Sequence, residues 1–309
     1  VFNKLTSFGI THSSSIRKIY FRTHQMKEGR DFQSRRSFIF TPGTRPELLS
    51  KAFESGADIV CLELEDGVAP DEKNKARQNV VKLFKSAPVR ESCELVVRVN
   101  SLRTRFGLDD LVAFLDTPPP LTIMLPKVES EDEVKIIDDL FLESNQHINL
   151  QIIIETNKGL EACFEIAQSS PNITALFFGG VDMAADLRCS GTWDSLLYAR
   201  SKLVHAAAAA NIDSLDVPFL DLNDENGLLE QATLAKELGF SGKGAIHPKQ
   251  IPVINSIFTP SPEEIAYAVR VIEEFKKAES GLVVIDGKLI EKPVLREMER
   301  KLTFINQES

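Results

Sequence analysis

The chain is poor in the residues that build metal cages, redox pairs and membrane spans. Its five histidines (His12, His24, His147, His205 and His247) show no HxxxH or HxxE spacing, so a zinc site is not expected. The four cysteines, Cys61, Cys93, Cys163 and Cys189, are scattered without a CxxC; they read as buried free thiols of a reducing compartment. No run of about 18 apolar residues occurs, which argues against a transmembrane helix. No GxGxxG follows an apolar run, so the dinucleotide fingerprint is missing. Positive charge is short too: 36 Lys+Arg against 45 Asp+Glu leave a net charge of −9, which argues against a general nucleic-acid binder.

One stretch lacks acids instead. Residues 1–36 carry eight Lys/Arg against two acids, Glu28 and Asp31, a net +6 that leaves −15 for the remainder of the −9 total. No acid stands before Met26, while Ser13, Ser14, Ser15, Arg17 and Arg22 enrich the segment. That is the composition of a mitochondrial transit peptide, with a disordered basic tail as the alternative. Residues 1–35 are therefore set apart from the catalytic region.

What the chain has is a regular alternation. Short apolar runs near Ser37–Phe40, Ile59–Leu64, Leu95–Val99, Thr122–Leu125, Gln151–Ile154, Ala175–Phe178, Ser214–Val217 and Gly244–Ile246 are separated by helix-length segments. Eight strand–helix units predict parallel pairing and a closed (β/α)8 TIM barrel over residues 36–258. An open doubly wound sheet is the other architecture of this pattern. Helix signals are legible at Arg45–Ser55, at Asp71–Phe84, after Ser130 and over Leu203–Ala210. Residues 259–309 form a C-terminal helical and hairpin extension. In it Ser261 caps a periodic helix with Pro262 at its first position, a hairpin turns at Asp286-Gly287, and Val294–Leu302 is a last helix.

In such a barrel the carboxyl ends of the strands make the active site. Here they read FTPGTR, LELEDG, VRVNS, MLPKVE, IIETNKG, FFGGVD, LDVPF and AIHPKQ. Glu155 closes one apolar run and Asp182 stands 27 residues later after the next. Two carboxylates on neighbouring strand ends suit Mg2+, which takes one or two carboxylates and leaves room for water and substrate. Capping of the following helices is the alternative reading. Arg98 within LVVRVN can clamp a carboxylate bidentately, or pair with Glu65 or Asp66. Glu63, Glu65 and Asp66 crowd one strand end and are expected to orient water or Arg98 from behind the reacting groups. Lys127 invites a Schiff-base reading, but neighbouring acids would raise its pKa, which favours an electrostatic role. Gly179 and Gly180 allow close approach of backbone to a ligand or a tight turn, and His247 is expected to be structural.

The segments FTPGTRPELLSKA, LELEDGVAPDEKNKAR, VRVNS, MLPKVES, IIETNKGL, FGGVDMAADL, YARSKLV and GFSGKGAIHPKQI stand in the order of one pattern. Together they resemble the citrate lyase β-subunit-like branch of the HpcH/HpaI aldolase superfamily, with its mitochondrial members nearest. The resemblance implies a Mg2+-dependent barrel, usually a homotrimer, that makes or breaks a C–C bond between acetyl-CoA and a 2-oxo acid, for instance in citramalyl-CoA. It implies Glu155 and Asp182 as Mg2+ ligands and Arg98 as the catalytic clamp on the oxo acid. Lys51, Phe40, Leu215 and Asp216 would contact substrate, Lys51 through a CoA phosphate. A C-terminal Asp over a neighbouring subunit's barrel serves as acid/base in this branch, and here GKLIEKP puts Glu291 at that position. Glu63 replaces another usual Asp, and Phe40 stands where close relatives have Tyr. A thioesterase or malate-synthase-like activity on the same metal platform, and a non-catalytic acyl-CoA-binding subunit, are the rival expectations. Neither a nucleic-acid nor a membrane partner is expected.

Overall fold

A computed structural model describes residues 34–86, 93–117, 121–278 and 282–302, the side chains of Arg296 and Arg300 apart. All of the basic N-terminal segment before Ser34 lies outside the described residues. Two compact units are present: Arg35–Phe258, and a unit whose described residues are Ser34 and those from Thr259 on. Among the described residues no helix is long and apolar enough to cross a membrane.

The first unit is a closed barrel of eight strands in sequence order, all parallel. The strands are β1 (Ser37–Pro42), β2 (Ile59–Glu63), β3 (Glu94–Arg98), β4 (Leu121–Leu125), β5 (Ile148–Ile154), β6 (Ile173–Phe178), β7 (Asp213–Asp216) and β8 (Gly242–Ala245). The first half of the helical ring is α1 (Leu49–Glu54), α2 (Lys73–Ser86), α3 (Arg105–Phe114), α4 (Glu131–Glu143), α5 (Asn157–Glu161) and α6 (Cys163–Gln168). It is completed by α7 (Gly180–Leu187), α8 (Trp193–Ala210), α9 (Glu225–Leu238) and α10 (Ile251–Phe258). The barrel reading of the sequence holds and the open sheet does not: β8 pairs back onto β1, Phe38 opposite Gly244.

Alternation along the strands sorts their side chains into two separate cores. Phe38, Ile59, Cys61, Val96, Met124, Ile153, Ala175, Phe177 and Leu215 fill the barrel, with Phe40 partly buried at its upper edge. Their outward neighbours, such as Val60, Leu62, Val97, Leu176 and Phe178, join Ala76, Phe114, Ile137 and Leu203 in the layer beneath the helices. Phe38 meets the Phe177 ring edge-on at 4.7 Å and the Phe40 ring at 5.1 Å. At the amino ends of the strands Arg35 bridges Glu94 (2.8 Å) and Asp213 (2.9 Å). Cys61, Cys93 and Cys163 are buried free thiols; Cys189 is half-buried.

The second unit contains α11 (Pro262–Lys277), the antiparallel pair β9 (Leu282–Ile285) and β10 (Lys288–Glu291), and α12 (Lys292–Leu302). Ser261 and Glu264 complete a reciprocal capping box at the start of α11. Asp286 and Gly287 both take positive φ (50° and 74°), which a two-residue turn of the primed type needs to match the strand twist. Ala268, Val271, Ile272, Ile285, Ile290, Met298 and Leu302 give this unit its own core.

Candidate active site

The carboxyl ends of β1 to β6 gather the charged residues. Glu63 and Arg98 are directly paired in register on β2 and β3, and both follow inward-facing residues, Cys61 and Val96. Neighbouring inward positions on parallel strands place their side chains together, so the ion pair follows from register alone. Arg98 Nε donates to Glu63 Oε2 at 2.6 Å and Nη2 stands 2.5 Å from the same oxygen. Nη1 lies 3.6 Å from Glu65, and the guanidinium carbon is 4.5 Å from the centre of the Phe40 ring. The second oxygen of Glu63 accepts the backbone N–H of Glu65. Burial holds the Glu63 carboxyl above the ordinary glutamate pKa despite Arg98. The sequence suggested Glu65 or Asp66 as the partner of Arg98; the closer one is Glu63.

Lys127 ties the next strands together. It takes a left-handed backbone, φ 55°, an unfavourable conformation for a side chain with a Cβ. That turn aims its N–H at Glu155 Oε1 (2.9 Å), while its ammonium donates to Glu65 (2.5 Å) and Asp66 (3.0 Å) and stands 4.0 Å from Asp182. Burial alone would lower the Lys127 pKa; the hydrogen bonds to Glu65 and Asp66 outweigh it and raise it above the ordinary lysine value. A Schiff-base role needs the opposite shift, so Lys127 is an electrostatic residue.

Glu155 follows β5 and is 3% exposed. A Cβ on Gly179 would come within 2.4 Å of Glu155 Cβ and 2.5 Å of its Oε2, so only glycine lets β6 leave the sheet past this carboxylate. Asp182 sits in the first turn of α7, a correction to its expected place at a strand end. Burial, then the charges of Asp182 and Glu65, push the Glu155 carboxyl up to about 8. Arg98 and Lys127 only partly offset this crowding of acids, so the site is one where a divalent cation would be favoured. Among the described residues no three His, Cys, Asp or Glu side chains form a closed cage. Two carboxylates in an open site, hard oxygen donors both, fit Mg2+.

A family model described as HpcH/HpaI aldolase/citrate lyase matches residues 36–248, the whole span of this barrel up to the turn after β8. The chain belongs to that family. It is 32% identical over 312 residues to mouse mitochondrial citramalyl-CoA lyase, covering 94% of this chain and 92% of the relative. It is 33% identical to the citrate lyase subunit beta of Leuconostoc mesenteroides, covering 88% and 93% of the two chains. A crystal structure of CitE from Mycobacterium tuberculosis in complex with magnesium, acetoacetate and coenzyme A superposes with a TM-score of 0.70 at 32% identity, covering 87% and 97%. The chain is an enzyme of the carbon–carbon lyase type.

In this member of the HpcH/HpaI family the acidic turn after β2 rests on residues that the sequence reading passed over. Buried Lys73 donates to the carbonyls of Leu64 (3.0 Å) and Glu65 (2.9 Å) and to Asn100 Oδ1 (2.6 Å). Asp110, fully buried, accepts from the Asn100 backbone (2.8 Å), the Asn100 amide (2.6 Å) and Arg77 Nε (2.6 Å). The signal was a lysine and an aspartate at helix positions that face the core. Asp110→Ala would leave three donors facing a buried gap and is expected to cost about 3–5 kcal/mol of stability, read from urea unfolding. A loss under about 1 kcal/mol would show that the network contributes little.

Leu215 faces into the barrel and is fully buried in its core. Asp216 therefore faces outward, fully buried and ion-paired to Arg200 and Lys243. His247 caps a short 3-10 turn, its Nδ1 accepting the Lys249 N–H, as expected of a structural histidine. Lys51 is exposed on α1. Glu291 is exposed at the end of β10 in the second unit.

Proposed function

We propose that this lyase is Mg2+-dependent and cleaves a 3-hydroxyacyl-CoA such as citramalyl-CoA to acetyl-CoA and pyruvate by retro-Claisen chemistry. The observation that carries the reading is the buried Glu155, its pKa pushed up by burial and by Asp182 and Glu65 despite Arg98 and Lys127 nearby. The magnesium and coenzyme A of the CitE complex and the citramalyl-CoA lyase relatives support it. Glu155 and Asp182 would hold the metal, which when bound supplies Lewis acidity to the oxygens of the 2-oxo-acid half.

The residues of the chain divide the remaining work. Glu63 and the Phe40 ring hold the Arg98 guanidinium in one plane, and Arg98 takes the substrate carboxylate and stabilises the charge on departing pyruvate. Lys127 holds Glu155 through its N–H and neutralises Glu65 and Asp66, so these acids do not repel an anionic substrate. A base removes the hydroxyl proton, the bond between the carbinol carbon and the thioester's α-carbon breaks, and its electron pair passes to the thioester enolate. An acid returns a proton to that carbon, giving acetyl-CoA. Glu291 is the proposed acid/base. Its extra methylene over the Asp usual in this branch moves the carboxylate by more than about 1 Å, a misplacement that can cost about 10²-fold. Lys51 is proposed for a CoA phosphate, a homotrimer for the assembly, and the mitochondrion for the location, following the mitochondrial relatives.

Purified protein is expected to release equal pyruvate and acetyl-CoA from citramalyl-CoA with Mg2+, and none with EDTA or as Glu155→Ala. Free CoA without matching acetyl-CoA would assign the platform to a thioesterase or a malate-synthase-like enzyme. Tight acyl-CoA binding without turnover would make the chain a non-catalytic binding subunit.

A further inference from the structure

Three charged residues outside the site are buried beneath the helices and take no part in the chemistry described above. Arg200 on α8, Asp216 on β7 and Lys243 on β8 are 2%, 0% and 0% exposed. Lys243 Nζ donates to Asp216 Oδ2 at 2.6 Å and to the Val217 carbonyl at 2.8 Å. Arg200 Nε donates to Asp216 Oδ1 at 2.8 Å, and its guanidinium carbon lies 4.9 Å from the Phe178 ring and 4.5 Å from the Trp193 ring. Arg200 Nη1 is buried and has no protein partner among the described residues. Two basic side chains share one acid in an apolar layer, and burial lowers the Lys243 pKa. Such a network costs desolvation that its internal attraction does not reliably recover, and apolar residues of the same volume often serve stability better. Stability is therefore a poor reason for its presence.

Its contacts supply a better one. Arg200 stacks on Phe178, and Lys243 holds the carbonyl of Val217. Those two residues are the walls of Gly180: a Cβ there would stand 3.0 Å from Phe178 Cε1, 3.0 Å from Val217 Cγ1 and 3.3 Å from Val217 Cβ. Gly180 is the first residue of α7, and Asp182 is in the first turn of the same helix. The start of α7 is thus seated against two side chains, each pinned by one arm of the buried network.

We propose that Arg200, Asp216 and Lys243 form a positioning triad that sets where the α7 start presents the Asp182 carboxylate to Glu155, and through it the affinity for the divalent cation. The proposal rests on the reading of Glu155 and Asp182 as the metal pair. Residues that orient metal ligands in this way typically carry about 10- to 100-fold in metal affinity.

The test measures the Mn2+ dissociation constant by electron paramagnetic resonance, without turnover, for wild type, Asp182→Ala, Lys243→Met, Arg200→Met and Gly180→Ala, with a thermal melt of each. Lys243→Met leaves the Arg200–Asp216 pair neutral. It is expected to melt within a few degrees of wild type while binding Mn2+ about 10-fold more weakly. Arg200→Met serves the same purpose if Lys243→Met does not fold. Gly180→Ala shifts the α7 start without touching the triad and is expected to weaken Mn2+ similarly, less than additively with Lys243→Met. Unchanged Mn2+ affinity in a folded Lys243→Met or Arg200→Met, with binding lost in Asp182→Ala, overturns the triad's role and leaves the metal pair standing. Full Mn2+ affinity in Asp182→Ala overturns both.

Discussion

Arg98→Met is expected to lower kcat/KM for citramalyl-CoA cleavage by about 10³-fold, the scale for removing one preorganised charge-stabilising donor. The guanidinium is held on three sides: Glu63 at 2.6 Å from Nε, Glu65 at 3.6 Å from Nη1, and the Phe40 ring at 4.5 Å from its carbon. That leaves a planar fork with one orientation, which under the proposed role would meet a substrate carboxylate without reorganisation. Methionine retains the bulk over Phe40. Burial already holds the Glu63 carboxyl above its ordinary pKa, and losing Arg98 raises it further, which favours the neutral form and spares the variant a lone buried charge. Arg98→Lys keeps a charge but presents a point instead of a fork, and is expected to recover less than about a tenth of wild-type activity. Single-turnover rates beside a thermal melt separate the two roles open to Arg98. Turnover within about tenfold of wild type in a folded Arg98→Met protein would make the pair with Glu63 purely structural.

Without metal, stability is expected to fall as pH rises. Glu155 is pushed from an ordinary 4.5 up to about 8 by burial, then by Asp182 and Glu65. Between those values the folded chain holds a proton that the unfolded chain has released, so each step up in pH favours unfolding. The contribution is fully present below about 4.5 and gone above about 8, a loss on the order of 5 kcal/mol. Mg2+ needs the carboxylate, so its apparent affinity should rise about tenfold per pH unit up to about 8 and then level off. Saturating Mg2+ should restore stability at high pH. Glu155→Gln should flatten the slope and make the metal-free protein more stable than wild type at pH 8.5, while abolishing turnover. Urea unfolding followed through Trp193, the single tryptophan, reads all of this. A metal-free stability that is level from pH 5 to 8.5 would show that Glu155 is ionised throughout and that its surroundings do not demand a cation.

By itself the sequence determined the architecture and the identity of the charged residues at the barrel mouth. Eight apolar runs separated by helix-length segments leave few arrangements other than a parallel barrel, and local signals such as Ser261-Pro262 and Asp286-Gly287 act within a few residues of themselves. Glu155 and Arg98 were legible because an ionisable residue after a run of apolar ones has few places to go. Tertiary structure decided the rest. Glu63 is the closest partner of Arg98, with Glu65 farther off, because the β2–β3 register sets Glu63 and Arg98 side by side on the barrel's inner face. Asp216 left the expected site because Leu215 faces inward, and a period of two sends its neighbour out to Arg200 and Lys243. Asp182 presents its carboxylate from a helix turn, where Gly179 and Gly180 let the chain pass Glu155 and Val217. Alternation states that neighbours face opposite ways, but which way, and against whom, is set by packing between segments far apart in the chain.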